Sequence, residues 1–562
     1  MKIIRLSAAS IFTAALTACG GGEGSNSPAP QSIAPAGLSP QAPEQSTSTV
    51  TLSGKLTYDR VPHLENAGLD FANSLEMPIR GAVVEAISRS GDILAATQTG
   101  PDGTYSLSVN AQTELRIQAK AQLLSSAAAS WDFSVTDNTN NNRLYALQGA
   151  FASSGENSSQ IRDLHAEHGW NGQVYEGVRA AAPFAILDSV YDAAQVFAKI
   201  DPNIDFPPLE LRWSEFNRTI IGDRSQGFIG SSAYFPDDDG GTIYILGEEG
   251  RDTDEFDAHV IVHEWGHYFE DRISRTDSIG GVHSLDDRLD ARLALSEGWS
   301  NALSAIVTGD PVYKDSSGFG QSAGFIYDIE NHEVTNPGWF NEASVAAIIY
   351  DIVDEAPDDA DGISAGLGPI YDVMTSPSYI DTPVFMTIFA LTDGLRGQDA
   401  IDNDALNALL EREFISGNGP DGAGEQNSGA ILSALPIYKE VSLNGPAAQL
   451  CSVDDAGVFN KLGNREFIFL NLENADDVTL TLLKTSGDDS RDPDFNIWQG
   501  DTLLHGVSSS SFVSTTNGGQ EVFQGRLSQG QYIIEAFDFL NINGASSNRG
   551  DSCYNFSVTA AR

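Results

Sequence analysis

Residues His263-Glu264-Trp265-Gly266-His267 place two imidazoles four positions apart with a carboxylate between them. A helix turns that spacing into one face, because residues i and i+4 stack a turn apart. There both imidazoles can reach one zinc ion, and Glu264 stands beside them to accept a proton from a water. With nine histidines in 562 residues, such a pattern arises by chance in roughly one sequence in a hundred. The flanking residues read as a helix over 255–275. Asp252 followed by Glu255 has the form of a capping box. Ala258, Val262, Trp265, Phe269 and Ile273 form an apolar stripe opposite the histidines. His259 lies one turn ahead of His263. Three histidines at i, i+4 and i+8 rise too far along a straight axis to share one ion, so His259 reads as structural or as a support for the site.

A catalytic zinc takes three protein ligands. The positions three and six after His267 are Glu270 and Ile273, which do not fit the metzincin extension. Downstream, 293–301 reads LALSEGWSN, in a helical run whose other face is apolar. Glu297-Gly298-Trp299-Ser300 resembles the EGWSD segment of the fungalysin metallopeptidases. The stretch 342–354, EASVAAIIYDIVD, resembles the fungalysin helix that follows. The resemblance covers residues 240–360. It implies a gluzincin site in which Glu297 joins His263 and His267 on one zinc, with Glu264 as the catalytic base.

Two departures from that family stand out. Fungalysins carry Asp one turn after the ligand Glu, orienting a zinc-bound histidine; here Asn301 stands there, able to accept from an imidazole N–H but uncharged. Fungalysins also carry a large inhibitory propeptide, whereas a small β module is expected here. Asp286 and Asp287 are rival third ligands, at the spacing other gluzincins use for Glu. Ser284-Leu285-Asp286-Asp287 fits a capping box opening the next helix better, and Glu297 is favoured. His283, Tyr327, His332 and Tyr350 are all candidates to polarise a substrate carbonyl, and none is singled out. The segment Thr242–Leu246 reads either as an edge strand able to pair with an extended peptide or as an internal strand.

At ~150 residues per domain the chain suggests roughly three to four domains, and single cores stop growing near ~250–300 residues. Residues 1–18, with Lys2 and Arg5 ahead of a short apolar stretch, read as a secretory signal. Leu16-Thr17-Ala18-Cys19 resembles the lipobox of bacterial lipoproteins, which implies lipidation at Cys19. Residues 19–48 read as a flexible tether. Residues 49–150 alternate apolar and polar positions between turns such as Pro101-Asp102-Gly103; the stretch 78–109 resembles the carboxypeptidase regulatory-like β-sandwich. Residues 166–442 are dominated by helical periodicity, over 183–199, 255–275, 288–308, 342–354 and 402–415, with strands only near their start. Residues 447–562 return to β alternation, and DPDFNIWQGDTLL with EVFQGRLSQGQYIIEAFD resembles the pre-peptidase C-terminal sandwich. The expected architecture is therefore multidomain: an α+β zincin-type metallopeptidase domain between N- and C-terminal all-β sandwiches.

Seventy-eight Asp and Glu against 31 Lys and Arg give a formal charge of −47. A polyanion such as nucleic acid would be repelled, and membrane contact is expected only through the lipid. Three cysteines exclude a disulfide-dense scaffold and a Cys₄ zinc module. In an oxidising compartment Cys451 and Cys553 are expected to bridge. The acid-rich loops 237–239 and 358–362 offer oxygens of the kind calcium takes, but lack EF-hand spacing and read better as solvated loops. The sequence thus leads to an exported, envelope-anchored or extracellular zinc endopeptidase acting on proteins or peptides. The alternatives are an aminopeptidase with the same zinc, and a surface adhesin with a vestigial metal site.

Overall fold

A computed structural model of the chain describes residues 48–236, 240–331, 333–354, 362–506, 519–543 and 549–561. The lipobox Cys19, the tether to residue 47, the acidic residues 237–239 and 358–361, and His332 lie outside the described residues.

The N-terminal part is built from strands with strict two-residue alternation. Thr104–Asn110 buries Tyr105, Leu107 and Val109 and exposes every residue between them. It pairs antiparallel with Thr49–Arg60. The turn before it holds Gly103 at φ +78, where a side chain would meet the Leu56 carbonyl oxygen at 2.5 Å, so only glycine fits. Asp102 Oδ1 accepts from the Thr104 backbone N–H at 3.0 Å, closing the turn.

The second sheet does not stop at residue 150. It runs from Ile93–Gln98 through Ala82–Ser88, Glu114–Ser126 and Ser130–Asp137 into Leu209–Trp213, Thr242–Ile245 and Ala233–Phe235. Ser130–Asp137 pairs parallel with Leu209–Trp213. The apolar faces of the first module and of the helical region accordingly form one continuous core, which starts at Val50 and is joined by Phe467 and Ile533 of the C-terminal sheets. Thr242–Ile245 is internal, flanked by Leu209–Trp213 and Ala233–Phe235, and the short strand Ala233–Phe235 forms the edge.

Four helices carry the centre of the molecule: α1 (Ala182–Ile200), α2 (Ala258–Arg272), α3 (Ala291–Thr308) and α4 (Glu342–Val353). Phe197 of α1 stacks on Phe269 of α2 at 4.4 Å, so the expected apolar stripe of α2 faces the core. Helices α2 and α3 approach closely at Gly266, where an added Cβ would meet Ser300 Oγ at 2.8 Å. Trp299 Nε1 donates to the Gly266 carbonyl at 3.2 Å. Helices α3 and α4 meet at Gly298, whose missing Cβ makes room for Val345.

Both expected capping boxes are corrected. Helix α2 starts at Ala258, after Asp257. Asp252 lies in the strand Asp252–Thr253, and Glu255 is a buried partner of Arg179 at 3.2 Å. Helix α3 starts at Ala291, with Asp290 as its cap accepting from the Arg292 N–H, and not near Ser284. In both places the acid–polar pattern marks a turn that belongs to tertiary contacts before the helix begins. Strands are also not confined to the start of the central region: Val312–Ser317 and Ala323–Asp328 form a hairpin beside α2.

The C-terminal part is two sheets, one of five strands and one of four, facing each other across their own core. Its first strand, Tyr438–Val441, precedes residue 447 and pairs parallel with Arg465–Leu472. Cys451 and Cys553 stand opposite each other on paired strands and are joined by a disulfide. A buried ionic cluster ties this sandwich to α3. Glu535, on the strand Gly530–Asp538, accepts from Arg292 at 2.8 Å and lies 3.2 Å from the Arg465 guanidinium. Arg292 also reaches Asp290 and lies over the rings of Phe385 and Phe467. Asn496 and the Trp498 indole complete Glu535 at 3.0 Å each.

Candidate metal centre

Helix α2 presents His263, Glu264 and His267, and α3, packed across it, presents Glu297. The three candidate ligand atoms form a near-equilateral triangle. His263 Nε2 and His267 Nε2 are 3.2 Å apart, and each lies 3.2–3.3 Å from Glu297 Oε2. Zinc bonds of ~2.0–2.1 Å in a tetrahedron put ligand atoms about 3.3 Å apart.

The surrounding hydrogen bonds set the tautomers. His263 Nδ1 meets Asn301 Oδ1 at 2.9 Å, an atom that can only accept. His267 Nδ1 meets Ser296 Oγ at 3.1 Å, and that hydroxyl already donates to Glu270 at 2.6 Å. Both imidazoles therefore carry their proton on Nδ1, and both Nε2 lone pairs face each other and a carboxylate oxygen. Two imidazole nitrogens and a carboxylate oxygen converging in a buried pocket favour a positive charge there, a proton or a metal ion. The pocket favours positive charge: burial opposes a charge on His267, but the Glu297 carboxylate outweighs it and raises the imidazole to about 9, so that in the metal-free site a proton takes the place facing Glu297. Burial would raise the Glu297 carboxyl, yet His283 and His267 hold it well below the usual range. The donor set of two imidazoles and one carboxylate fits zinc.

Glu264 is 8% exposed and does not join the triangle. Its Oε2 accepts from the Tyr234 backbone N–H at 2.7 Å, which anchors it to the edge strand of the large sheet. His259 faces elsewhere, against the Asp310 carbonyl at 3.0 Å and Thr308 Oγ1 at 3.1 Å, and burial lowers its pKa to about 4. Asp286 is exposed and accepts from Thr335, and Asp287 pairs with Lys461; neither reaches the histidines.

Of the four candidates for polarising a carbonyl, His283 comes to the centre, with Nε2 3.3 Å from Glu297 Oε2 and Nδ1 2.6 Å from Glu342 Oε2. Tyr327 lies against the Ala343 carbonyl instead. Sequence reasoning missed Glu342, Glu270 and Tyr313, whose ring centre is 6.2 Å from that of His263. The one local sign for Glu342 is an acid opening a mostly apolar run, 342–349; Glu270 and Tyr313 carry no local signal.

Residues 230–376, about a quarter of the chain, match the family described as the mycolysin C-terminal domain. That span contains α2, α3 and α4 and every residue of the triangle, and it makes this a peptidase-related chain. No curated protein matches it. Among solved structures, it is similar over 22% of its length to the pre-peptidase C-terminal domain of collagenase from Bacillus anthracis, at 12% identity, 93% coverage of that chain and a TM-score of 0.16. It is similar over 22% of its length to a periplasmic lysozyme inhibitor, PliG, from Aeromonas hydrophila, at 18% identity, 98% coverage of that chain and a TM-score of 0.13. The sheet topology above stands on its strand pairing alone.

Proposed function

We propose that this chain is a zinc-dependent endopeptidase of gluzincin type, acting on extracellular proteins or peptides. The observation that carries the reading is the triangle of His263, His267 and Glu297, with its two lone pairs and one carboxylate turned inward. A zinc ion held there would supply Lewis acidity and lower the pKa of a water. The chain's own residues do the rest. Asn301 and Ser296 hold the two imidazoles in the tautomer that leaves Nε2 free. Glu264, clamped by the Tyr234 N–H, takes a proton from the attacking water and returns it to the leaving amine. His283, with Nε2 3.3 Å from Glu297 Oε2, is the group assigned to steady negative charge on the carbonyl oxygen, with Glu342 fixing its orientation. The edge strand Ala233–Phe235 runs past Glu264 and supports binding of an extended peptide. Lipidation at Cys19 would place the enzyme at the cell envelope; among the described residues no helix is long and apolar enough to cross a membrane.

Casein hydrolysis and bound zinc, measured together, test the reading. Glu264→Gln should lose activity by about 10²–10⁴-fold and keep its zinc. Glu297→Ala should lose zinc to a mild chelator, while Asp286→Ala and Asp287→Ala keep it. Cleavage at the wild-type rate by Glu264→Gln would overturn the mechanism, and zinc retention in Glu297→Ala would overturn the ligand assignment.

A further inference from the structure

We propose that Asp252, Asp254 and Asp315 form a calcium site, distinct from the histidine cluster and independent of the peptidase reading. One carboxylate oxygen from each lies within 4.8 Å of the others. Around calcium, at bond lengths of 2.3–2.6 Å, oxygens on opposite sides are at most ~5 Å apart, so one ion can touch all three. The residues come from two neighbouring segments. Asp252 sits on the strand Asp252–Thr253 with Asp254 directly after it, and Asp315 sits on Val312–Ser317, which pairs with that strand.

A second observation points to a ligand. Asp254 is 3% exposed; Ser232 donates to its Oδ2, but its Oδ1 is buried with no hydrogen-bond partner. Asp252 Oδ1 is buried and unpartnered as well. Among the described residues no Lys, Arg or His forms an ion pair with any of the three. Asp257, only three positions on, shows how this fold satisfies a buried carboxylate. Its Oδ1 pairs with His63 at 2.8 Å, and its Oδ2 accepts from the Ser316 N–H and hydroxyl at 2.8 and 2.9 Å. Leaving a carboxylate oxygen buried without such partners is costly. The protonation equilibria register that cost: burial, reinforced by Asp257 and Asp252, pushes the Asp315 carboxyl up to about 8, and burial pushes Asp252 to about 6. A divalent cation supplies the missing positive charge. An all-carboxylate set selects a hard ion over zinc, and calcium tolerates irregular oxygen cages better than magnesium, which demands a tight octahedron.

The test uses the full chain stripped with EGTA, freed of the chelator, reloaded with one equivalent of zinc chloride and titrated with calcium chloride, reading bound calcium, bound zinc and melting temperature in the same samples. Asp254→Asn and Asp315→Asn should each bind a calcium ion fewer per chain than wild type, with zinc unchanged, and should lose most of the calcium-dependent rise in melting temperature. In EGTA both variants should melt at or above wild type, because one of several crowded charges is gone. A carboxylate with a purely structural role would lower melting equally with and without calcium. That result, or an unchanged calcium count in both variants, would overturn the site; if one variant fails to fold, the other decides.

Discussion

Glu535→Gln removes a single charge from the cluster that joins α3 to the C-terminal sandwich while keeping the side chain's shape. Burial alone would raise the Glu535 carboxyl, but Arg292 and Arg465 pull it down to about 2, from an ordinary value of 4.5. That displacement corresponds to about 3 kcal/mol of stability at neutral pH. Breaking one partner of a buried ion pair costs ~3–5 kcal/mol by an independent measure, so the two agree in scale. The sign follows from the depressed carboxyl. The contribution is complete above pH 4.5 and is lost as pH falls through about 2, with about 1–2 kcal/mol left at pH 3. Other buried acids act oppositely: burial raises Asp494 to about 8 and Glu521 to about 7. Both chains share them, so they cancel in the difference between wild type and variant. Urea unfolding at pH 7 and pH 3, followed by circular dichroism and by tryptophan fluorescence, reads that difference; Trp498 donates directly to Glu535. A gap of equal size at the two pH values, or no gap at pH 7, would refute the reasoning.

Gly298→Ala places a methyl 2.6 Å from Val345 Cβ and 2.9 Å from the Glu342 carbonyl oxygen, and should cost about 1–3 kcal/mol as α3 and α4 separate. Val345→Ala removes Cγ1, also 2.6 Å away, but keeps Cβ, so in thermal melts Gly298→Ala/Val345→Ala should lose less than the two single variants summed; strict additivity would place the strain elsewhere. On the zinc reading, Asn301→Asp gives His263 a charged partner and should tighten zinc in competition with a chelator; weaker zinc would count against the assigned tautomer. Non-reduced, unfolded protein should show no thiol-reagent signal from Cys451 or Cys553. Replacing both by Ser should lower stability by at most ~4–5 kcal/mol for so long a loop, and an unchanged urea midpoint would mean that the bridge constrains little.

The histidine pair was legible because its chemistry and its periodicity coincide: the spacing that makes a helix face also makes a ligand pair. Asn301 was found only through the resemblance to the fungalysins, which carry Asp one turn beyond the Glu that matches Glu297. The helix starts were misread because an acid three residues from a polar side chain looks the same at a cap and in a turn. Asp252 and Glu255 are committed to a strand and to Arg179, contacts that arise from residues far away in sequence. The continuation of the large sheet past residue 150 was not legible at all. Parallel pairing of Leu209–Trp213 with Ser130–Asp137 is non-local and leaves no turn signal between the partners. The aspartate trio was hidden differently. Among 78 acidic residues nothing in composition marks the few whose charge is shut away from water.

The unbroken sheet from Ile93–Gln98 to Ala233–Phe235 sets an order of assembly. A chain made from its amino end completes Glu114–Ser126 and Ser130–Asp137, which pair with each other, before Leu209–Trp213 emerges. The first module thus serves as the template on which the later strands are laid down, and through them the edge that grips Glu264. Trimming it to obtain a minimal peptidase would strip Leu209–Trp213 of one hydrogen-bonded neighbour and expose an apolar flank prone to pairing with other chains. The amino-terminal module is a foundation, not a detachable spacer.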